Sequence, residues 1–222
     1  MSKWKIYHRA ETVSTNLDAR KGKPFEAFTA DYQTAGRGRL NHKWESDRGR
    51  NVIMSVVLDV AQLSIEESST LPLVMGLAVA KAVKKILPSA AIALKWPNDV
   101  YWEGEKIAGI LCERNGDKVI VGIGVNIEQA GYRSIGGDRE QVRDGILAET
   151  LKYKQILEDD GFAAIYPEIA ALDYLKGRNV SVAQTDEDRK PVTGICGGIT
   201  LDGSLLVGDA KIYAGEAHVT AF

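Results

Sequence analysis

The sequence has few of the residues that build metal centres and disulfide frameworks. Its 222 residues include two cysteines, Cys112 and Cys196, and three histidines, His8, His42 and His218. The cysteines form no CxxC pair and the histidines do not cluster, so the spacing does not indicate a zinc site.

An excess of one charge and a long apolar run are also missing. The formal net charge is −2, so the chain lacks the global basic field of a nucleic-acid-binding protein. The N-terminal residues MSKWKIYHRAETVSTN contain no apolar signal-peptide region. The most apolar window, LPLVMGLAVAKAVKKIL, is interrupted by lysines and is too short to span a bilayer. We therefore expect a cytoplasmic protein with reduced thiols and no membrane partner.

Three common catalytic loops are absent from the sequence. It contains neither GxxxxGK[ST] nor GxSxG. Gly122 and Gly124 suggest a dinucleotide fingerprint, but Ile127 stands where the third glycine belongs. The two glycines instead predict the close approach of a ligand or a neighbouring strand. Asn126 is polar within the same apolar segment and needs a partner, for which a base edge is one candidate.

The remaining pattern is typical of an α+β protein. The runs NVIMSVVLDV and DKVIVGIGVNI predict buried strands, and residues 69–87 predict a helix that ends at Pro88. Ser14 or Thr15 is the predicted N-cap of an earlier helix, where the side-chain oxygen would accept a backbone hydrogen bond. Glu103–Gly104 predicts a tight hairpin.

The C-terminal third changes in texture. Residues 145–176 predict one or two helices with a break near Pro167, and short β-prone pieces follow from about Gly177. These pieces predict a small all-β barrel or sandwich. We place a boundary near Leu175, which gives two predicted domains, residues 1–175 and 176–222.

A basic, glycine-containing loop follows an apolar β-prone segment. Residues 33–50, QTAGRGRLNHKWESDRGR, hold five basic and two acidic residues. Gly36 and Gly38 allow close approach to a ligand, and Arg37 and Arg39 can fork around phosphate oxygens. The loop therefore suits closure over a polyphosphate, although a solvated basic loop has the same composition.

Two further segments carry polar residues beside apolar strands. In KWPNDVYW, Asp99 can hold a magnesium ion on a nucleotide, but Asn98 and Asp99 are also common in self-capping turns. Lys106 opens the apolar run KIAGIL, where its ammonium can hold a carboxylate or phosphate. The alternative for Lys106 is an edge lysine that prevents sheets from associating.

Four motifs occur in order: STN at 14–16, YQTAGRGR at 32–39, KWPND at 95–99 with KIAGIL at 106–111, and GIGVN at 122–126. Together they resemble the biotin protein ligases, also called biotin–[acetyl-CoA carboxylase] ligases. The resemblance covers nearly the whole chain and includes GSLLV and Gly215–Glu216. It implies a mixed-sheet catalytic domain with a small C-terminal SH3-like β-barrel. Many bacterial members begin with a winged helix-turn-helix, and we expect the monofunctional type without it.

The resemblance also implies a two-step reaction. The carboxylate of biotin, a substrate, attacks the α-phosphate of ATP carrying Mg²⁺, which gives biotinyl-5′-AMP and pyrophosphate. A lysine of a biotin carboxyl carrier domain then accepts the biotinyl group.

Site residues are implied motif by motif. Lys106 and Arg39 are the expected catalytic residues, Asn98 and Asp99 the expected nucleotide and Mg²⁺ contacts, and Asn126 the expected adenine contact. Trp44 would lie over the adenylate and exclude water. The expected contacts of biotin and its adenylate are Ser14, Thr15, Asn16, Gln33, Gly36, Arg37, Gly38, Arg39, Trp44, Lys106 and Gly109.

Two other functions remain open from the sequence. A lipoate–protein ligase belongs to the same superfamily, although the GRGR loop and KWPND argue against it. A nucleic-acid-binding module could use residues 37–50, but the net charge and the lack of basic–aromatic interleaving elsewhere disfavour it. The sequence does not fix the oligomeric state and leaves a homodimer open.

Overall fold

A computed structural model describes residues 4–184 and 190–220 of the chain. Small parts of both predicted domains, residues 1–3, 185–189 and 221–222, lie outside the described residues. Among the described residues, no helix combines the length and the apolar character that crossing a bilayer requires.

The described residues form an α+β fold with two sheets, as the sequence predicts. The helices are α1 (Thr15–Ala19), α2 (Ile65–Ser69), α3 (Leu71–Ile86) and α4 (Arg139–Ala171). The strands of the larger sheet are β1 (Lys5–Arg9), β2 (Glu26–Ala30), β3 (Asn51–Asp59), β4 (Ile92–Lys95), β5 (Asp99–Trp102), β6 (Glu105–Asn115) and β7 (Lys118–Asn126). Those of the smaller sheet are β8 (Asn179–Ala183), β9 (Val192–Ile199), β10 (Leu205–Val207), β11 (Ala210–Ile212) and β12 (Glu216–Val219).

The larger sheet is mixed and has the strand order β1-β2-β3-β7-β6-β5-β4. β1 pairs with β2 in parallel, whereas the other five neighbouring pairs of the sheet are antiparallel. β5 and β6 are joined by the predicted hairpin, in which Glu103 and Gly104 both have positive φ. The central strands β3, β7 and β6 are the longest, and their registers determine which side chains meet at the site.

The two faces of the larger sheet have different roles. Apolar side chains at alternate positions of β3 and β7, such as Met54, Val56, Val121 and Ile123, belong to the main core cluster with α3 and α4. The positions between them face α1 instead, where Val57, Ile120 and Ala19 form a smaller cluster. The α1 face also carries Ser55, Gly122 and Gly124, and it supports the candidate site.

The helix predicted at residues 69–87 is confirmed as α3. Its first turn contains Pro72, whose missing N–H is not needed there, and Pro88 follows Leu87, its C-cap. The predicted N-cap position of α1 is also correct, because Ser14 has extended backbone angles there. The predicted capping bond is not observed, however, since no side-chain hydrogen bond caps this helix.

The predicted break near Pro167 is wrong in position. α4 begins at Arg139, where the Asp138 side chain accepts a hydrogen bond from the Gln141 N–H. The helical path is interrupted at Gly161, whose φ of 73° lies in the region that glycine tolerates best. Pro167 lies within the helical segment after this kink.

The C-terminal part is an antiparallel five-stranded sheet with the order β11-β10-β9-β8-β12. The expected barrel is not closed, because no pairing joins β11 to β12 among the described strands. The main core cluster extends from the larger sheet into this smaller one through Val180, Cys196 and Leu205. The division into domains at Leu175 stays a prediction.

Candidate active site

A cavity of about 180 Å³ lies where most of the predicted motifs meet. Its walls come from the STN turn, residues 37–44, the KWPND turn, the strands β6 and β7, and β12 of the smaller sheet. Of the predicted site residues, the lining includes Ser14, Thr15, Asn16, Gln33, Arg37, Gly38, Arg39, Trp44, Asn98, Asp99, Lys106 and Gly109.

Residues 36–44 form a small hairpin over the cavity, which we call the lid hairpin. The Gly38 N–H donates to the His42 carbonyl at 2.7 Å, and the Trp44 N–H donates to the Gly36 carbonyl at 3.1 Å. A single 3₁₀ turn, Arg39–Asn41, makes the tip. With few backbone bonds of its own, the hairpin depends on side-chain anchors for its position.

The floor of the cavity contains glycines because other side chains lie directly on the strands. A Cβ atom on Gly124 would stand 2.3 Å from the Trp44 ring, and one on Gly109 would stand 3.1 Å from it. A Cβ atom on Gly122 would meet the Asn16 amide oxygen at 2.2 Å. The predicted close approach at Gly122 and Gly124 was of a ligand or a neighbouring strand, whereas the groups that approach these glycines are the side chains of Asn16 and Trp44.

Lys106 and Asp99 form an ion pair at one end of the cavity. The Lys106 Nζ lies 2.7 Å from Asp99 Oδ1 and 5.8 Å from the centre of the Trp44 ring. β5 and β6 are neighbours, and Tyr101 opposes Lys106 in their register. Burial, helped by the negative charge of Asp99, raises the pKa of Tyr101 to about 12, so this hydroxyl stays protonated at neutral pH.

Arg39 anchors the lid hairpin near the same end. Its Nη1 donates to Asn98 Oδ1 at 3.3 Å and to the Gly215 carbonyl at 3.2 Å. Burial lowers the pKa of Arg39, and the charges of Asp99 and Glu216 oppose that change. The Asn98 amide in turn donates to the Ile110 carbonyl at 2.8 Å. The KWPND turn thus orients an arginine and a lysine toward one region of the cavity.

The opposite end is lined by neutral, buried hydrogen-bonding groups. The Gln33 Oε1 accepts from the Thr15 N–H at 2.7 Å and lies 3.1 Å from the Thr15 hydroxyl. The Ser55 hydroxyl lies 2.7 Å from the Thr15 hydroxyl and 2.6 Å from the Asn16 Oδ1. Ser14, Thr15 and Asn16 are each no more than 3% exposed. A ligand at this end would meet groups that are already oriented.

Arg37 lies beside these neutral groups, where it forms an ion pair with Glu113, whereas Arg39 lies near Lys106. The Arg37 Nη1 donates to Glu113 Oε1 at 3.1 Å, and Glu113 Oε2 accepts from the Asn16 Nδ2 at 2.7 Å. The two arginines of the GRGR motif therefore have different surroundings, which the sequence interpretation did not distinguish.

Two predicted residues are not among those that line the cavity. Asn126 is buried on β7, and its Nδ2 donates to the backbone carbonyls of Lys106 and Arg133. Gly36 lies at the base of the lid hairpin, where a Cβ atom would stand 2.3 Å from the Trp44 carbonyl. Asn126 thus connects the Lys106 strand to residues after β7, and Gly36 allows the hairpin to close.

The sequence interpretation missed Ser55, Glu113 and Glu216. Ser55 is a lone serine in an otherwise apolar strand, and this pattern could have identified it. Glu113 ends an apolar run in the same way. Glu216 lines the cavity from β12, with one carboxylate oxygen 3.7 Å from His42 Nε2. Only the approach of the smaller sheet to the lid hairpin, which sequence spacing does not encode, brings Glu216 here.

The carboxylates of the site do not fit a resident metal ion. The described residues contain no group of three or more His, Cys, Asp or Glu side chains that could hold one. Asp99 is the one carboxylate among the predicted site residues, and it is already paired with the Lys106 ammonium. Any Mg²⁺ here would arrive with the phosphates of a nucleotide, as part of the substrate.

Known proteins show similarity in sequence and in fold. The profile of the biotin/lipoate A/B protein ligase family matches residues 15–128. The chain is 39% identical over 129 residues to a biotin–[acetyl-CoA-carboxylase] ligase of Mycobacterium tuberculosis, covering 54% of this chain and 48% of that one. It is 30% identical over 204 residues to the bifunctional ligase/repressor BirA of Escherichia coli, covering 82% of this chain and 61% of that one. The chain thus spans about half to three fifths of these relatives.

A solved structure matches over almost its whole length. The biotin protein ligase from Aquifex aeolicus, in complex with biotin and ATP, superposes with a TM-score of 0.85 at 27% identity. The match covers 97% of this chain and 98% of that one. The profile match and this fold lead to one conclusion: the chain belongs to the biotin/lipoate A/B protein ligase family.

Proposed function

We propose that this protein is an ATP-dependent biotin–protein ligase. It would convert biotin and ATP into biotinyl-5′-AMP and transfer the biotinyl group to a lysine of a biotin carboxyl carrier domain. The observation that carries the proposal is the arrangement of one cavity, which has charged groups around Lys106, Asp99 and Arg39 at the end we call cationic for its two basic side chains, and a neutral end around Thr15 and Gln33. A reaction with ATP and a carboxylase partner suits a cytoplasmic location.

The cationic end would serve the first step. Biotin's carboxylate and the triphosphate of ATP repel each other, so positive groups must offset the repulsion and stabilise the departing pyrophosphate. The Lys106 ammonium, oriented by Asp99, would hold the carboxylate and then the adenylate oxygens. Arg39 would contact the phosphates while it keeps the lid hairpin attached to Asn98 and Gly215.

The neutral end would hold the ureido ring of biotin. This ring is uncharged and offers one carbonyl and two N–H groups, which match the hydroxyl and amide groups of Thr15 and Gln33. Trp44 would cover the acyl adenylate, which must be kept from water because it hydrolyses. Asn98, Asp99 and Asn126 remain the proposed residues nearest the nucleotide.

In the second step, the neutral amine of a carrier lysine would attack the carbonyl carbon of biotinyl-5′-AMP. The new C–N bond forms as the C–O bond to the phosphate breaks, AMP leaves with the electron pair, and the amine loses a proton. Opening of the lid hairpin, or a gap at its edge, would admit the lysine.

A direct labelling experiment tests the proposal. The protein is incubated with ATP, Mg²⁺, biotin and a purified carrier domain, and labelling is read by avidin blot. We expect labelling that requires ATP and the acceptor lysine, and that excess lipoate does not suppress. Preferential transfer of lipoate would instead identify a lipoate–protein ligase. DNA affinity that falls steeply with salt, without any labelling, would support the nucleic-acid-binding alternative.

A further inference from the structure

Glu113 has a position that the proposed reaction does not explain. It is a carboxylate on β6 that lies beside the neutral end of the cavity, behind Asn16, with a side chain 27% exposed. Its Oε2 accepts from Asn16 Nδ2 at 2.7 Å, and its Oε1 accepts from Arg37 Nη1 at 3.1 Å. One side chain therefore joins the STN turn, the larger sheet and the lid hairpin.

The contact with Asn16 fixes the direction of the side-chain amide. A carboxylate only accepts, so the Asn16 NH₂ group must face Glu113, and Oδ1 must face the Ser55 hydroxyl at 2.6 Å. The Ser55 hydroxyl can donate its one proton to Asn16 Oδ1 or to the Thr15 hydroxyl oxygen, 2.7 Å away, and the Thr15 hydroxyl in turn donates to Gln33 Oε1. Glu113 thus fixes the direction of the Asn16 amide, which places Oδ1 as an acceptor beside the Ser55 hydroxyl in a chain that continues through Thr15 to Gln33.

The Asn16 side chain is tightly packed. Its Oδ1 would lie only 2.2 Å from a Cβ atom on Gly122, so the amide is packed against the strand. Without Glu113, the Asn16 NH₂ group would lose its hydrogen-bond acceptor, although Asn16 is only 3% exposed and water cannot readily replace it. The Asn16 Oδ1 would then no longer be held toward the Ser55 hydroxyl.

The contact with Arg37 connects the same carboxylate to the lid hairpin. The Arg37 side chain is 42% exposed, so the ion pair is weak enough to open and reform. Together with the Arg39 contacts at the other end, it fastens the hairpin at two places. The Glu113 carboxylate therefore contacts both Asn16, at the neutral end, and Arg37, on the lid hairpin.

We propose that Glu113 is a positioning residue that couples closure of the lid hairpin to the hydrogen-bonding chain at the neutral end of the cavity. This rests on the proposed function for the identity of the ligand, biotin. Its consequence is specific: Glu113 contributes to holding biotin and does not contribute to the chemical step at Lys106.

Steady-state kinetics of biotin-dependent adenylate formation test this division. We expect Glu113→Ala to raise the KM for biotin at least about tenfold, while kcat and the KM for ATP stay within about twofold. Glu113→Gln keeps an acceptor for Asn16 but loses the charge pair with Arg37, so its biotin KM should lie between those of the wild type and Glu113→Ala. Glu11→Ala, which removes a surface carboxylate paired with Arg48, is the matched control and should change nothing.

A double-mutant cycle tests the coupling to the lid. If Glu113 and Arg37 act together, Glu113→Ala combined with Arg37→Ala should be less harmful than the product of the single effects. Independent, multiplicative effects on the biotin KM would overturn the coupling. A large fall in kcat, whether biotin or ATP is the varied substrate, would also overturn the assignment. It would mean that Glu113 contributes to the chemical step or to the stability of the fold.

A ligand-free measurement separates this proposal from the proposed function. The Gly38 and Trp44 amides are hydrogen-bonded within the lid hairpin, so their hydrogen exchange reports lid opening. We expect faster exchange in Glu113→Ala and Arg37→Ala but not in Glu11→Ala; unchanged exchange would refute the proposed coupling between Glu113 and the lid hairpin. Failure of the wild type to use biotin would refute the proposed function alone. Should Glu113→Ala not fold, Glu113→Gln and Arg37→Ala decide both measurements.

Discussion

Three glycines on β6 and β7 leave the space in which the site is built. Gly109 and Gly124 lie under the Trp44 ring, and Gly122 lies under the Asn16 amide. None of them is required for a turn at these positions, because they occur within regular strands. Their value is the missing Cβ atom, which lets large side chains from other elements lie flat on the sheet.

We predict that Gly124→Ala displaces Trp44 and destabilises the protein by about 1–3 kcal/mol, the usual cost of overpacking. The new methyl group would stand 2.3 Å from the indole ring. Urea unfolding gives the stability, and the part of the tryptophan fluorescence that a Trp44→Phe variant lacks gives the displacement, since the chain has four tryptophans. Gly76→Ala is the control: its Cβ atom would have no neighbour closer than 3.5 Å, and alanine favours the helix there. Equal behaviour of the two variants would contradict the packing argument.

At Lys106, we predict that replacement by alanine lowers adenylate formation by at least about 10²-fold, the scale of losing one electrostatic stabiliser of a transition state. Pyrophosphate release measures the reaction. Lys81→Ala provides a matched control, since Lys81 also pairs with a carboxylate, Glu168 at 2.5 Å, and is similarly exposed. Near-normal pyrophosphate release from Lys106→Ala would rule out its proposed role.

At the scale of elements, the lid hairpin is a short structure attached at its sides. Three backbone hydrogen bonds lie within it, and Arg37 and Arg39 connect it to different parts of the molecule. Arg39 reaches both the KWPND turn and the Gly215 carbonyl before β12. Closure of the hairpin therefore depends on elements that are remote in sequence.

We predict that Arg39→Ala weakens retention of the adenylate by about 1–3 kcal/mol, which is the scale of lost charge-assisted hydrogen bonds. This corresponds to a roughly 5- to 150-fold faster dissociation rate. Release of labelled biotinyl-5′-AMP from the purified complex measures it. Arg48→Ala should leave the rate unchanged, because Arg48 contacts Ala10 and Glu11 and does not line the cavity. An unchanged rate in Arg39→Ala would count against the anchor.

The elements themselves were predictable where the signal is local. The apolar run of β3, the spacing of α3 and the turn at Glu103–Gly104 each follow from neighbouring residues. The break in α4 lies at Gly161, the residue with positive φ, and not at Pro167, where the sequence predicts it. Proline can continue a helix once the preceding residues accommodate it, whereas a φ of 73° cannot occur within one.

The site was predictable only as far as its motifs. STN, GRGR, KWPND and Lys106 were identified together, but Ser55 and Glu113 acquire their partners through strand register and through the placement of α1. A one-residue shift in the pairing of β3 or β6 would turn these side chains to the other face. That information is distributed over the whole sheet, so no short stretch of sequence contains it.

At the scale of the whole molecule, the two sheets share hydrophobic packing. Buried residues of β8, β9 and β10 belong to the same cluster as those of β3, β7 and α3. Polar contacts add to this, since the Trp96 indole donates to the Gly203 carbonyl at 3.1 Å and the Tyr166 hydroxyl donates to the Ile199 carbonyl at 3.0 Å. A shared core favours unfolding of both sheets together.

The two cysteines can test this shared stability, because Cys112 lies on β6 and Cys196 on β9. Cys196 is buried and Cys112 is partly exposed, and burial of the thiols raises the pKa of Cys112 to about 12 and that of Cys196 to about 11. At pH 8 both thiols are therefore protonated in the folded protein and less reactive than in the unfolded chain. We predict that alkylation of both thiols in increasing urea follows one midpoint, coincident with the loss of helical circular dichroism. Peptide mass spectrometry distinguishes the sites, and Cys112→Ala and Cys196→Ala confirm the assignments.

If Cys196 were alkylated at lower urea than Cys112, the smaller sheet would unfold separately, and the predicted boundary near Leu175 would mark two units of independent stability. Coincident midpoints would mean that β12, and with it the Gly215 carbonyl that anchors Arg39, is held in place by the core of the whole molecule.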